Sequence, residues 1–476
     1  MRNTVFVIIL LFLAITIGGG IFLRNSLQQG NIQQAIVSSA LSKDASATST
    51  ALVQRALGMN GKRKYLILFL NNTELRPGGG FIGSYGVVSV ENGRPTILKV
   101  EGTESLDNAA ASIGIEPYAP LAKYLGIKKM QLRDSNWSPD FPTNAKLAMQ
   151  MYRNEGGVNS TELDGIVAVT PTLFEEILKI TGPIKVGDIE FTSENFTEKL
   201  EYEVEYGYKN RGKDFSERKN LLGELSKAML PRLIATSFTH WKDYLQLVPR
   251  MLKEKQMILY SIYEDERNFL SEQSWDGSFL PAKNDYLLWA DANLGSLKTD
   301  VAIQRSLNYS ISPSGTDRLV AVASMRYNHT GGFTWRTTRY RDYVRIFVPR
   351  GSKLIGVQGV AEGSTVSKKL QADEGDEGSY HWFGTFISVE PGKQGSLAFN
   401  YILPQNILES VKNGEYNLVV QKQSGTLKNR LTLDLNFGKK LIRAVPAENT
   451  EKFGDSRYEI TTDLGVDREF NVSILR

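Results

Sequence analysis

Cysteine is absent from this chain of 476 residues. That excludes disulfides, thiolate metal sites and cysteine nucleophiles together. Histidine is scarce: His240, His329 and His381 stand far apart, with no HExxH or other ligand spacing. A histidine metal site and a Ser-His-Asp triad therefore have little to build on, and catalysis would have to run on Asp, Glu, Arg, Lys, Tyr or Ser. A dominant charge is lacking too. Lys and Arg number 56 against 52 Asp and Glu, a surplus of +4. That is not the basic footprint of a nucleic-acid binder. What is present is globular in kind, 41% hydrophobic and 23% charged residues, with length enough for more than one domain.

The longest apolar run lies at the start. Thr4 to Leu23 carries no charge and is bounded by Arg2 and Arg24. A bilayer core takes about 20 apolar residues in a helix, so residues 1–24 are expected to form a single-pass transmembrane helix. The alternative is a cleaved signal peptide, with Val5 to Ile17 as its apolar part and Gly18-Gly19-Gly20 after it. The apolar run resumes at Ile21-Phe22-Leu23, which favours a retained anchor. A long tail crosses the membrane largely regardless of charge. The amino terminus is therefore expected in the cytoplasm and the large domains outside it, at the cell membrane.

Residues 25–60, rich in Gln, Ser, Ala and Thr, read as a stalk or linker. Residues 61–300 alternate strand and helix signals. Tyr65 to Leu70 is a buried-strand run, and Phe81 to Val90 and Thr96 to Val100 flank the hairpin signal Asn92-Gly93. Pro142 and Pro171 open amphipathic helices, and Ser216 reads as the N-cap of another. This predicts an α/β domain, a mixed sheet with flanking helices. From 301 to 476 helical periodicity fades. Short alternating stretches such as Leu319 to Tyr327 and Tyr416 to Gln421 predict an all-β sandwich-like domain. Asp300 to Arg476 is expected to fold alone.

Polar motifs are few. Gly78-Gly79-Gly80 lacks the Lys-Ser/Thr of a P-loop and leads into a strand, so a tight turn is its ordinary meaning, with Arg76 beside it. Arg133-Asp134-Ser135-Asn136-Trp137-Ser138-Pro139-Asp140 precedes a helix. Arginine forks onto phosphate, carboxylates hold Mg²⁺, and a helix start favours anions. The plainer reading is a turn with Asx caps. Lys209 to Lys219 sets five bases, Arg211 and Arg218 among them, against Asp214 and Glu217. It reads as an anion site or as a solvated helix start.

The strings YLILFLNNTELRPGGGFIGSYGVVSV and RDSNWSPDFPTNAKLAMQMYRNEGG resemble the bacterial family called domain of unknown function 4012, as do DGIVAVTPTLFEEILKITGPIKV and NDYLLWADANLGSLKTD. The resemblance covers Tyr65 to Asp300 and implies a membrane-anchored envelope protein. The order of blocks is similar, more distantly, to the LytR-CpsA-Psr phosphotransferases. Those enzymes move glycopolymers from polyprenyl-pyrophosphate carriers to cell-wall acceptors. That likeness implies Asp134 and Asp140 as catalytic and Mg²⁺-holding groups. It implies Arg133, Lys146, Arg211 and Arg218 as substrate contacts, and Arg76, beside the glycine run, is expected to line the same site. The chain departs from the pattern where the strand after the hairpin ends in Glu101-Gly102-Thr103-Glu104, and where Lys219 replaces the usual glutamine. A non-catalytic binder of a glycan or lipid carrier, and an adhesive or structural surface protein, are the other readings.

Overall fold

A computed structural model describes residues 47–215, 218–360, 366–448 and 454–476. The expected membrane helix, and the expected N-cap at Ser216, lie outside them. Among the described residues no helix is long and apolar enough to cross a membrane. The chain divides into two compact units. The first takes the described residues up to Asn71, then Phe81–Glu116 and Lys129–Ser278; the second takes Asn72–Gly80, Pro117–Lys128 and Phe279–Arg476. The second unit thus begins before the expected boundary at 300 and draws in two short segments from within the expected α/β region.

The first unit is the mixed α/β fold that the alternating signals predict. It carries β1 (Arg63–Asn71), β2 (Phe81–Glu91), β3 (Arg94–Gly102), β4 (Gly165–Val169), the small hairpin β5 (Ile184–Val186) and β6 (Ile189–Phe191), and β7 (Met257–Ser261). The main sheet has five strands in the order β3-β2-β1-β4-β7. Only β1 and β4 run parallel; the other neighbours are antiparallel. The β2–β3 hairpin turns through Asn92 at φ 50° and Gly93 at φ 69°, the left-handed pair that a two-residue hairpin requires. Every residue of β4 is buried, as expected of a central strand covered on both faces.

Its helices are α1 (Ala47–Ala56), α2 (Thr103–Ala109), α4 (Phe141–Asn154), α5 (Pro171–Thr181), α6 (Phe196–Tyr202), α7 (Asn220–Thr239), α8 (Trp241–Lys253) and α9 (Glu264–Glu272), with α3 (Ala119–Leu125) falling in the second unit. Pro171 stands at the start of α5, where its missing N–H costs nothing. Leu173, Phe174, Ile177 and Leu178 face one way, and Gly182 at φ 76° ends the helix. That face packs with α7 and α8 on Ile67, Val88 and Val169 of the sheet. The stalk expected over 25–60 is shorter than composition suggests, because α1 is folded and Leu57 after it lies in this same core.

The second unit is a two-sheet β structure with one shared core. One seven-stranded sheet runs β13-β12-β16-β10-β9-β18-β20, the other β14-β15-β11-β8-β17-β21-β19. The strands are β8 (Asp285–Ala290), β9 (Ile303–Pro313), β10 (Leu319–His329), β11 (Tyr340–Pro349), β12 (Lys353–Val360), β13 (Ser367–Leu370), β14 (Asp373–Glu377), β15 (Tyr380–Val389), β16 (Gln394–Ile402), β17 (Glu415–Gln421), β18 (Asn429–Asn436), β19 (Leu441–Val445), β20 (Arg457–Leu464) and β21 (Arg468–Ile474). A helix, α10 (Gln405–Lys412), links β16 to β17. Along β9, buried and exposed residues alternate, and inward residues of both sheets, such as Leu307, Phe399, Ile346 and Leu418, form one cluster.

The expected boundary at Asp300 leaves out β8, which the second unit's sheet includes. That strand sits inside the second sheet, between β11 and β17. The borrowed segment 72–80 is also bolted in. The Leu75 N–H donates to Asp300 (3.0 Å), Gln423 donates to the Arg76 carbonyl (3.1 Å) and Asn72 to that of Gly425 (3.0 Å). A Cβ on Gly425 would lie 2.0 Å from the Gly79 carbonyl oxygen. The glycine run is therefore a close backbone packing point, the ordinary meaning of the motif. From the other borrowed segment, Tyr124 stacks on Phe386 at 4.0 Å.

Candidate functional site

The first unit holds two features with chemical content, a charged cluster around α2 and an apolar cavity under α1. The cluster begins where β3 runs straight into α2 at Gly102. A Cβ there would fall 2.6 Å from Lys219 Cδ, so glycine is what lets Lys219 pass. Lys219 Nζ donates to the Gly83 carbonyl (2.6 Å) and to Glu104 (3.3 Å). Arg218 donates through Nε to Glu104 (3.1 Å), through Nη1 to Glu205 (3.0 Å), and its guanidinium lies 4.1 Å from the Phe215 ring centre. Burial opposes the Glu104 charge, but the Arg218 and Lys219 contacts outweigh it and hold the carboxyl below its ordinary range. Burial lowers Lys219. Glu205 belongs to a π-helical turn, Glu203–Gly207.

One turn along α2, Asp107 is fully buried and pairs with Arg133. Glu155 caps the C-terminus of α4, and its Oε1 accepts from the Leu132 N–H (2.8 Å). Asp107 Oδ1 and Glu155 Oε2 are both buried and lack a partner when both carboxylates are ionised. A proton on Glu155 satisfies both, as an O–H donated to Asp107. Burial, and then the bond to and charge of Asp107, push Glu155 up to about 8; burial also raises Asp107 against the pull of Arg133. The two therefore titrate as a pair.

This pair yields a pH prediction. A carboxyl raised in the folded state binds its proton more tightly there than in the unfolded chain. Its stabilisation is whole below the unfolded value near 4.5 and is lost as pH rises towards about 8. Wild type should lose a few kcal/mol between pH 5 and pH 9 from this source. Glu155→Gln keeps both bonds, its amide donating to Asp107 and its carbonyl accepting from Leu132, and should flatten that slope. Denaturant midpoints at pH 5, 7 and 9 measure it, and equal slopes in both proteins would refute the shared proton.

The residues singled out from sequence scatter. Arg133 and Arg218 do meet at α2, through Asp107 and Glu104. Asp134 caps its own 3-10 turn, accepting from the Gln131 N–H (3.2 Å). Asp140 is the N-cap of α4, accepting from the Thr143 N–H (3.2 Å) and hydroxyl (2.6 Å). Lys146 is exposed on α4. Arg211 pairs with Glu203, eight residues earlier in the chain. Arg76 belongs to the second unit, where it donates to the Leu75 (3.1 Å) and Asn293 carbonyls and pairs with Glu74 (3.3 Å). Asp134 and Asp140 thus serve as caps, and among the described residues no three His, Asp or Glu side chains gather as a metal would require. This donor set does not fit Mg²⁺. The residues that sequence reading missed are Asp107 and Glu155; Lys219 stood in the basic run and Glu104 was noted only as a departure from the phosphotransferase pattern. The one signal was the acidic strand end Glu101-Gly102-Thr103-Glu104.

The cavity lies between α1, α9 and strands β1, β4 and β7, with a cavity volume of about 100 Å³ within about 740 Å³ of empty space that includes open solvent at its mouth. Leu52, Leu57, Val167, Leu259, Phe269 and Trp275 form its walls. Tyr65 lines it too, with its hydroxyl turned to the Ala56 carbonyl (2.7 Å). A single carboxylate, Glu266, borders it. Glu266 accepts from Arg55 (2.7 Å), from Arg63 (2.8 Å) and from Ser261. Arg63 also pairs with Asp164 (2.8 Å), and its guanidinium sits 4.2 Å from the Tyr263 ring centre. The cavity is apolar within and ionic at its border.

A mixed-sheet unit with an apolar chamber, followed by a two-sheet β unit, defines the class. Residues 60–205 match the model of the family described as protein of unknown function DUF4012, and over that segment the chain carries this family's domain. No curated protein matches the chain. Among solved structures, a candidate nutrient-binding protein from Legionella pneumophila is 7% identical over 40% of this chain and 71% of its own, with a TM-score of 0.27. The M1 zinc metallopeptidase of Deinococcus radiodurans is 10% identical over 38% of this chain and 43% of its own, with a TM-score of 0.19. These scores are too low to support a functional argument.

Proposed function

We propose that this is a membrane-anchored cell-envelope protein whose first unit binds the hydrocarbon chain of a lipid carrier, such as a polyprenyl-pyrophosphate-linked glycan, without turning it over. The cavity under α1 carries this reading. A chamber walled by Leu, Val, Phe and Trp gains about 25 cal/mol for each Å² of apolar ligand surface it takes from water. The ion cluster around the bordering Glu266, with Arg55, Arg63 and Asp164 behind it, suits the place where a chain meets its polar head. The charge of Thr4 to Leu23, which is none, supports the anchor.

The transferase reading rests on Arg133, Arg218 and Lys219 meeting at α2. Each of these cations already has a carboxylate partner. An incoming pyrophosphate would have to displace Glu104 and Asp107, which opposes catalysis. Calorimetry with a soluble short-chain prenyl phosphate separates the two. Binding without release of phosphate is the expected result, with an approximately tenfold or greater loss of affinity in Ala56→Phe, whose ring fills the chamber. An unchanged affinity in that variant removes the cavity as the site. Phosphate release abolished by Arg218→Ala would establish the enzyme instead.

A further inference from the structure

We infer that one end of the β sandwich is a docking surface for an anionic lipid membrane. Three loops meet there. Leu297 bridges to Thr337 and the Lys298 N–H donates to the Arg336 carbonyl (3.0 Å). Thr330 N–H donates to the Ala302 carbonyl (2.9 Å), and His329 exchanges backbone bonds with Gly392 and Lys393 (3.0 Å each). Inside the longest loop, Thr337 donates to the Gly332 carbonyl (2.7 Å) and shares a bond with Thr334 (3.0 Å). The surface is therefore fixed by hydrogen bonds before anything binds to it.

On this fixed frame, large apolar side chains point to water. Leu297 is 46% exposed, Val301 51% and Phe333 70%. Exposed apolar residues elsewhere on the unit, such as Ile355 and Leu427, come from separate strands and loops. The charges around the patch are mostly positive. Lys298, Arg336, Arg339 and Lys393 stand against Glu390, which pairs with Arg339, and Glu74, which pairs with Arg76. Apolar tips ringed by Lys and Arg are the chemistry of binding to an anionic bilayer interface: rings and aliphatic chains enter the acyl boundary while cations meet the headgroups. A protein partner could cover the apolar tips, but the excess of Lys and Arg over Glu in the rim favours anionic lipid. The inference rests on the membrane location proposed above and not on the cavity of the first unit.

The absence of cysteine makes the test clean. The full chain carrying Phe333→Cys is labelled with an environment-sensitive fluorophore and reconstituted into vesicles of phosphatidylcholine alone or with phosphatidylglycerol. Ile355→Cys is the control. It lies on β12 near Lys353, which pairs with Ile402 opposite Val320, the sheet end away from the Ile303–His329 pair. The label at 333 should shift to the blue with phosphatidylglycerol and stay water-like without it, and the label at 355 should stay water-like in both. Lys298→Gln or Arg336→Gln should each weaken the response about fivefold. Both substitutions are at the surface, and an unchanged thermal transition shows that the fold persists. Flotation of the chain with a water-like label at 333 overturns the docking surface alone and leaves the patch to a protein partner. Failure to float with either vesicle overturns the membrane location with it. An equal blue shift in both vesicles overturns the assignment to anionic lipid.

Discussion

A fragment of residues 300–476, expressed alone, should show no cooperative unfolding transition. It lacks β8, whose six residues are all buried. Leu287 and Trp289 fill the core between the sheets, while Tyr286 and Leu288 face a second cluster with Phe347 and Tyr380. Each large side chain is worth about 1.5–3 kcal/mol when buried, so losing four consumes most of the 5–15 kcal/mol of a typical domain. Polar groups are orphaned as well. Tyr309 (2.6 Å) and Tyr416 both donate to Asp285 in the intact chain, and in the fragment these two hydroxyls stay buried without it. Circular dichroism and denaturant titration of the fragment test this, and a sharp transition would show that β8 is dispensable.

Arg305→Met should cost about 3–5 kcal/mol, the usual result of stripping one partner from a buried ion cluster. Arg305 donates to Asp291 (2.6 Å), to Asp300 and to the Tyr340 hydroxyl (2.7 Å). Asp291 also accepts from Trp289 (2.9 Å) and Tyr327 (2.8 Å). Without the guanidinium, Asp291 and Asp300 lose their buried cation beside Asp342, whose own carboxyl is raised well above its range by burial and then by Asp291. The same cluster holds Leu75 through Asp300, so the borrowed segment 72–80 should loosen with it. Unfolding at pH 7 measures the loss. A gap from wild type that is small at pH 7 would mean the network contributes little.

The sequence was legible where local pattern and burial agree. Asn92-Gly93 marked the first hairpin because two left-handed residues leave few other choices, and β10 and β17 showed as short stretches between turn residues. β8 was assigned to the preceding α/β region because DYLLWA is buried on both faces and does not alternate, so nothing in it distinguishes one unit's sheet from another's. The segment 72–80 sits between two strands of one unit in sequence, and only its pairing with Asp300 and Gln423 shows that it belongs to the other. The pairings at the candidate site were hidden for the same reason. Asp134 and Asp140 lie next to arginine in the chain, yet both cap local turns, while the partners of Arg133 and Arg218 are Asp107 and Glu104, 26 and 114 residues away. Spacing along the chain carries no record of pairs at that distance. The cavity was hidden because Leu52, Ala56 and Leu57 belong to a stretch whose composition reads as linker.

The most direct measurement of the lipid-chain reading is quenching of Trp275, which lines the cavity. Titration of the protein with a prenyl or alkyl phosphate brominated along its chain should quench this tryptophan saturably, and Trp275→Phe should remove that component. Quenching should fall when the bromine is moved to the polar end. Saturable binding of the brominated lipid with Trp275 emission unchanged would contradict a hydrocarbon chain in this chamber.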